Sequence, residues 1–151
     1  MNAREYLNQA YRLEHRVILI QNEITNLRSL ATSIRSPSFE EHLYTGQSND
    51  ASHVRIINKI IVMEKECLEE LQMLLELKEQ MLVAISQLSA QDESLTLRYR
   101  YLCNWTWTRI AEELNVEERT VRRWHDRAIN HFKVPDNPII IEKSKSCPEM
   151  S

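Results

Sequence analysis

This sequence predicts an all-α fold: a long N-terminal antiparallel helical hairpin, coiled-coil-like, followed by a C-terminal helix-turn-helix. Three observations carry that expectation. Glycine occurs once and proline four times in 151 residues, too few turn formers for an all-β chain, while Leu, Ile, Glu and Arg dominate. Two long stretches repeat apolar residues every seven positions. Between residues 106 and 132, two short amphipathic segments flank a tight turn.

The first helix is expected over residues 3–34. Tyr6, Leu13, Ile20, Leu27 and Ile34 recur at heptad spacing, interleaved with Ala10, Val17, Ile24 and Ala31, and no Pro or Gly interrupts them. This is the 3.5-residue period of a coiled-coil seam. At 1.5 Å per residue such a helix spans ~48 Å, too long to be buried in a small globule. Ser36-Pro37 ends it, because a residue before proline is pushed out of the α region. Residues 36–52, rich in Ser, Asn and Asp and holding the one Gly, read as a loop from which Phe39, Leu43 and Tyr44 can fold back onto the helix ends.

A second long helix is expected from His53 to Leu88. Ile60, Cys67, Leu74, Met81 and Leu88 form one heptad series, and Ile61, Leu68, Leu75 and Leu82 form another. Ile57, Leu71 and Ile85 belong to a third, broken by Glu64 and Lys78. Folded back on the first helix, the second still has apolar surface left over. That surplus predicts either a homodimer or higher oligomer or a docking face for the C-terminal module, and residues 1–88 are read as a self-association hairpin.

Ser89 is the expected N-cap of a third helix, with Asp92 and Glu93 in its first turn, where negative charge suits the helix dipole. It carries Leu95, Tyr99 and Leu102 at i, i+4 and i+7 and ends near Cys103. Residues 89–133 are read as one module, expected to bind DNA on the strength of the motif inside it. Residues 134–151, with three prolines and no helical period, are read as a flexible tail whose Ile139-Ile140-Ile141 run packs on a neighbour.

Within the module, Ile110, Ala111 and Leu114 make the inward face of the first motif helix, and Asn115-Val116 the turn. Val121, Trp124, Ala128 and Phe132 make an apolar stripe on the second helix. A small alanine lets the helices cross closely, and the second helix then suits a DNA major groove. Thr106 caps the first helix, placing Thr108 and Arg109 to meet a phosphate. Glu118, Arg119, Thr120, Arg122 and Arg123 occupy the early outward positions that reach base edges, arginine being suited to bidentate contact with guanine. Glu118 can accept from a cytosine amino group or orient an arginine. Arg127, further along, is placed for a backbone phosphate. Trp105 and Trp107 read as packing residues and Trp124 as core.

The net charge of −3 hides an asymmetry. Residues 1–94 carry 9 Lys/Arg against 14 Asp/Glu, whereas residues 95–133 carry 8 against 5. A mildly basic module on an acidic helical body fits local DNA contact better than general polyanion binding. Three dispersed cysteines, Cys67, Cys103 and Cys147, support neither a disulfide framework nor a zinc site; they are read as free thiols, two of them buried. His125 and His131 fall on opposite sides of one helix, poor geometry for a shared metal. No Gly-rich phosphate loop, nucleophile motif or metal spacing appears, so neither enzyme chemistry nor a cofactor is expected. Lacking a signal peptide or a transmembrane run, the chain is expected in the bacterial cytoplasm, away from membranes.

The stretch from Gln91 to Phe132, with WTRIAEELNV followed by TVRR, resembles region 4 of the bacterial sigma factors. The whole chain, beginning NAREYLNQAYRLEHRV after its first Met, is similar to ArpU-type transcriptional regulators of phages and prophages in Gram-positive bacteria. The resemblance implies control of phage late genes, double-stranded DNA as partner, DNA-facing roles for Arg119, Thr120, Arg122 and Arg123, and RNA polymerase as a candidate further partner. Three positions depart from the pattern: Asn115 replaces the usual turn glycine, Glu117 the usual Ser or Thr cap, and Arg109 a commonly acidic residue. No sigma region 2 is present, so a regulator is expected and not a complete sigma factor. The competing expectations are a terminase small subunit, which also joins a helix-turn-helix to a helical hairpin but usually in the reverse order, and an adaptor that binds polymerase or a sigma factor without reading DNA.

Overall fold

A computed structural model describes residues 1–34 and 46–141. Every regular element among them is helical: α1 (Ala3–Ile34), α2 (Gly46–Ile85), α3 (Gln91–Leu97), α4 (Trp107–Leu114) and α5 (Glu118–His131). A π-helical turn, Arg98–Leu102, continues directly from α3. The all-α expectation holds. α1 has the bounds its heptads predicted, while α2 starts at Gly46, ahead of His53. The rest of the expected loop, including the proposed fold-back of Phe39, Leu43 and Tyr44, lies outside the described residues. No helix among the described residues is long and apolar enough to cross a membrane.

The chain divides into two compact units, and the division differs from the expected one at residue 88. Glu14–Met73 forms one unit, and Met1–Leu13 with Leu74–Ser151 the other. The cut crosses both long helices because their Tyr6, Leu7, Leu77 and Met81 share an interior with Leu97, Tyr101, Ala128 and Phe132 of the C-terminal elements. Apolar side chains follow the elements that cover them, whatever helix they sit on.

In the unit Glu14–Met73, α1 and α2 pair along Val17, Ile24, Ile60 and Cys67, with Ile20, Leu27, Ile56 and Met63 against them. Arg16 bonds Glu70 and Arg28 bonds Glu64 across the pair. Rising numbers on one helix meet falling numbers on the other, so the pairing is antiparallel. Cys67 is buried here, whereas Cys103 in the other unit is exposed; Cys147 lies outside the described residues.

The other unit has the larger interior. Tyr6 stacks near Phe132, centroids 6.0 Å apart, and its hydroxyl donates to Gln80 Oε1 at 2.8 Å. Burial pushes that phenol up to about 12. α3 is capped at Ala90, not Ser89, and Ala90 offers no side-chain bond. Lys78 Nζ donates to the Leu102 carbonyl at 3.1 Å, closing the end of the π turn.

Residues 134–141 are docked, which corrects the reading of a flexible tail from 134 onward. Val134, Ile139 and Ile141 pack on the core, and two glutamines hold the backbone between them. Gln9 donates to the Ile139 carbonyl at 3.0 Å and accepts from the Ile141 N–H at 2.8 Å. Gln80 donates to the Asn137 carbonyl and accepts from the Ile139 N–H, both at 2.9 Å. A glutamine amide carries the same donor and acceptor as a peptide group, so each satisfies an extended segment as a neighbouring strand would. Residues 142–151 lie outside the described residues.

Candidate nucleic-acid interface

The helix-turn-helix is closed by local chemistry at its turn. Thr106 Oγ1 accepts the Arg109 N–H at 3.2 Å, capping α4 as its sequence position predicted. Asn115 takes the left-handed conformation, φ 54 and ψ 44, and its N–H returns to Ala111 and Glu112 carbonyls. Asparagine visits this region with little strain, so the turn closes without a glycine. Ile110, Ala111 and Val121 are buried, and Tyr99, Trp105, Trp107, Leu114 and Val116 pack around them. α5 begins at Glu118 with no side-chain cap from Glu117.

The inward face of α5 differs from the expected stripe at one position. Val121, His125 and Ala128 are the helix's buried residues, with Phe132 just beyond its end, while Trp124 is half-buried. A stripe through 125 fits helical spacing as well as one through 124, so periodicity does not choose between them. His125 goes inside because its polar atoms find partners. Nε2 meets the Tyr101 hydroxyl at 2.6 Å, Nδ1 lies 3.3 Å from Asp126 Oδ1, and Trp107 packs against the ring edge-on at 4.8 Å. Burial holds His125 below the usual imidazole value, with the Asp126 carboxylate pulling the other way. Burial likewise raises Tyr101. His131, elsewhere on the helix, binds Glu93 at 2.9 Å, tying the start of α3 to the end of α5.

The arginines fall into two sets. Arg109 lies 3.9 Å over the Trp105 ring, which itself stacks on Tyr99 at 4.5 Å, so guanidinium, indole and phenol form one pile. Arg100 sits 4.3 Å over Trp107 and donates to the Trp105 carbonyl at 2.9 Å. Arg122 donates twice to Glu118 Oε1, at 2.8 and 3.2 Å. Glu118 also accepts from Thr108 at 3.3 Å, and chiefly the Arg122 bond holds its carboxyl below the ordinary range. These side chains are held by partners within the chain.

Arg119, Arg123 and Arg127 are exposed, and among the described residues none of them makes a hydrogen bond or ion pair. Spaced four apart, they form one stripe along α5. Thr120, expected on the same outward face, is only half exposed. Of the sequence-predicted positions, Thr108, Glu118 and Arg122 are brought together, Arg109 stands on its tryptophan, and Arg119, Arg123 and Arg127 remain open. Sequence reasoning missed Arg100; the alternation of Tyr, Arg and Trp over residues 99–109 was the available signal for cation–π layers.

A family model described as "Protein of unknown function (DUF722)" matches residues 19–134. The chain belongs to that family. The DUF722 match takes in the second half of α1 and all of α2 to α5, so both compact units contribute to what the family shares. No curated protein and no solved structure matches the chain.

Proposed function

We propose that this protein binds double-stranded DNA sequence-specifically and regulates transcription, in the manner of the sigma region 4-like regulators of phage late genes that its C-terminal sequence resembles. One observation carries the reading. Three exposed arginines, unpaired among the described residues, line the outer face of the second helix of a closed helix-turn-helix. A face that served only as solvated surface would have no need of the Trp-stacked and Glu-paired arginines set around it. Arg119 and Arg123 lie early enough on α5 to read base edges, and Arg127 is placed for phosphate. Arg109, held over the Trp105 ring, extends the phosphate-contacting rim. Glu118 orients Arg122, which refines the alternative that it reads cytosine.

Site selection from random duplexes, followed by anisotropy titration on the selected site, tests this. Arg123→Ala is expected to weaken specific binding by about 1–3 kcal/mol and relax sequence preference. Arg127→Ala is expected to weaken all duplexes alike and flatten the salt dependence by about one unit of slope. No enriched site, or unchanged binding by the Arg119, Arg123 and Arg127 triple alanine variant, would discard the reading.

A further inference from the structure

The seam inside the unit Glu14–Met73 uses one side of α2. Ile60 and Cys67 are buried there. One residue further along, Ile61 and Leu68 are 58% and 67% exposed, and Val54, Ile57 and Leu71 are 56%, 39% and 43% exposed. These five recur at alternating steps of three and four, with Glu64 at the remaining position. That is the spacing of a second coiled-coil seam, roughly a quarter-turn round the helix from the first. Beside it, Arg28, Ala31 and Thr32 of α1 join Val54, Ile57 and Asn58 of α2 in lining an open groove of about 720 Å³.

We propose that this face binds the same face of a second copy of the chain, with the two α2 helices antiparallel, so that two hairpins close into a four-helix bundle. The spacing calls for a helical partner with a matching heptad stripe, and the chain itself carries one. Charge selects the orientation. Arg55 follows Val54 and Glu69 follows Leu68, so a basic and an acidic side chain flank the two ends of the stripe on the same side. Antiparallel pairing sets the basic end of one copy beside the acidic end of the other, whereas parallel pairing sets like against like. Glu64, the single charge within the stripe, is already bonded to Arg28, which lowers the cost of covering it. Five half-exposed aliphatic side chains amount to roughly a few hundred Å² in each copy, at the upper end of what a monomer leaves open. With their flanks, two copies bury on the order of 1,000 Å², the lower bound for a specific dimer. The interface is isologous, so it closes at two subunits.

Sedimentation velocity of the full chain at tens of micromolar tests the proposal without DNA. The parent is expected to sediment as a dimer. Ile61→Glu and Leu68→Glu, each at a position outside the intramolecular seam, are each expected to give a monomer with unchanged far-ultraviolet circular dichroism. A monomeric parent, or dimers in both variants, overturns the proposal. Loss of helical signal in both overturns it too, because an exposed stripe tolerates a charge. For the orientation, Val54→Cys and Leu71→Cys chains are mixed in a background without the native cysteines. A disulfide between the two kinds of chain is expected, and disulfides only between like chains would overturn the antiparallel arrangement. Arg123→Ala should leave the dimer intact, so loss of DNA reading and loss of self-association are told apart.

Discussion

The two units bury the same kind of heptad surface to different depths. In the unit containing the helix-turn-helix, Tyr6, Leu7, Leu13, Leu77, Met81 and Ile85 are fully buried. In the unit Glu14–Met73, Val17, Ile24, Ile60 and Cys67 all retain a few per cent exposure. The sequence pattern is the same in both, so the difference comes from what covers it. Two helices alone can close only one stripe each, and solvent reaches both edges of their seam. α5, the π turn and the docked residues 134–141 add a further layer in the first unit. Even there, Leu75 and Leu82 of α2 stay exposed, because the added layer lies on the other side of the helix.

The largest expected effect follows directly. Leu77→Ala should cost about 2–5 kcal/mol in urea unfolding, as full burial leaves a cavity that neighbours cannot fill. Ile24→Ala should fall toward or below the lower end of that range, since its seam borders solvent. Equal costs would remove the distinction between the units. Next comes the polar closure of the tail. Gln9→Leu strands the Ile141 N–H and the Ile139 carbonyl, and should cost about 1–3 kcal/mol. It should also expose residues 134–141 to proteolysis and speed exchange of the Ile141 amide. Arg28→Ala, which breaks an ion pair that is largely exposed within one copy, should cost under about 1 kcal/mol in a chain held monomeric by Leu68→Glu.

The smallest expected effect is the pH dependence of the helix-turn-helix unit. His125 faces Tyr101, Trp107 and Asp126, with Arg4 and Arg100 near enough to disfavour its charge. Unfolded, the ring takes up its proton near the usual 6.5; folded, it does so only at lower pH. Acidification through and below about 6.5 therefore favours the unfolded chain, and the stability His125 contributes is fully present above that value. His125→Gln should flatten the decline between pH 7 and 5, measured by thermal unfolding against the parent. An unchanged slope would show that other groups govern it.

Much of the candidate interface was legible because its determinants are local. Thr106 caps the helix it precedes, Asn115 takes the left-handed turn, and Ile110, Ala111 and Val121 follow from spacing within one motif. The Arg122–Glu118 bond joins residues one helical turn apart on α5. Burial of His125 over Trp124 was not legible, since it depends on Tyr101 arriving from a separate element. Arg100 escaped for the same reason: its value lies in Trp107, a residue on another helix.

By itself the sequence determined the helices, the antiparallel seam spacing and the helix-turn-helix, because all three rest on periodicity and on capping between residues a few positions apart. The tertiary structure decided which arginines are held and which are open, where the chain divides, and that residues 134–141 are docked. Each of those depends on pairing across long sequence separations, as when Gln9 meets Ile139 and Ile141. A glutamine in a heptad helix and a run of isoleucines after a proline carry no mark of that meeting. Only their convergence on one core, where an unpaired peptide group is costly to bury, makes the partnership necessary.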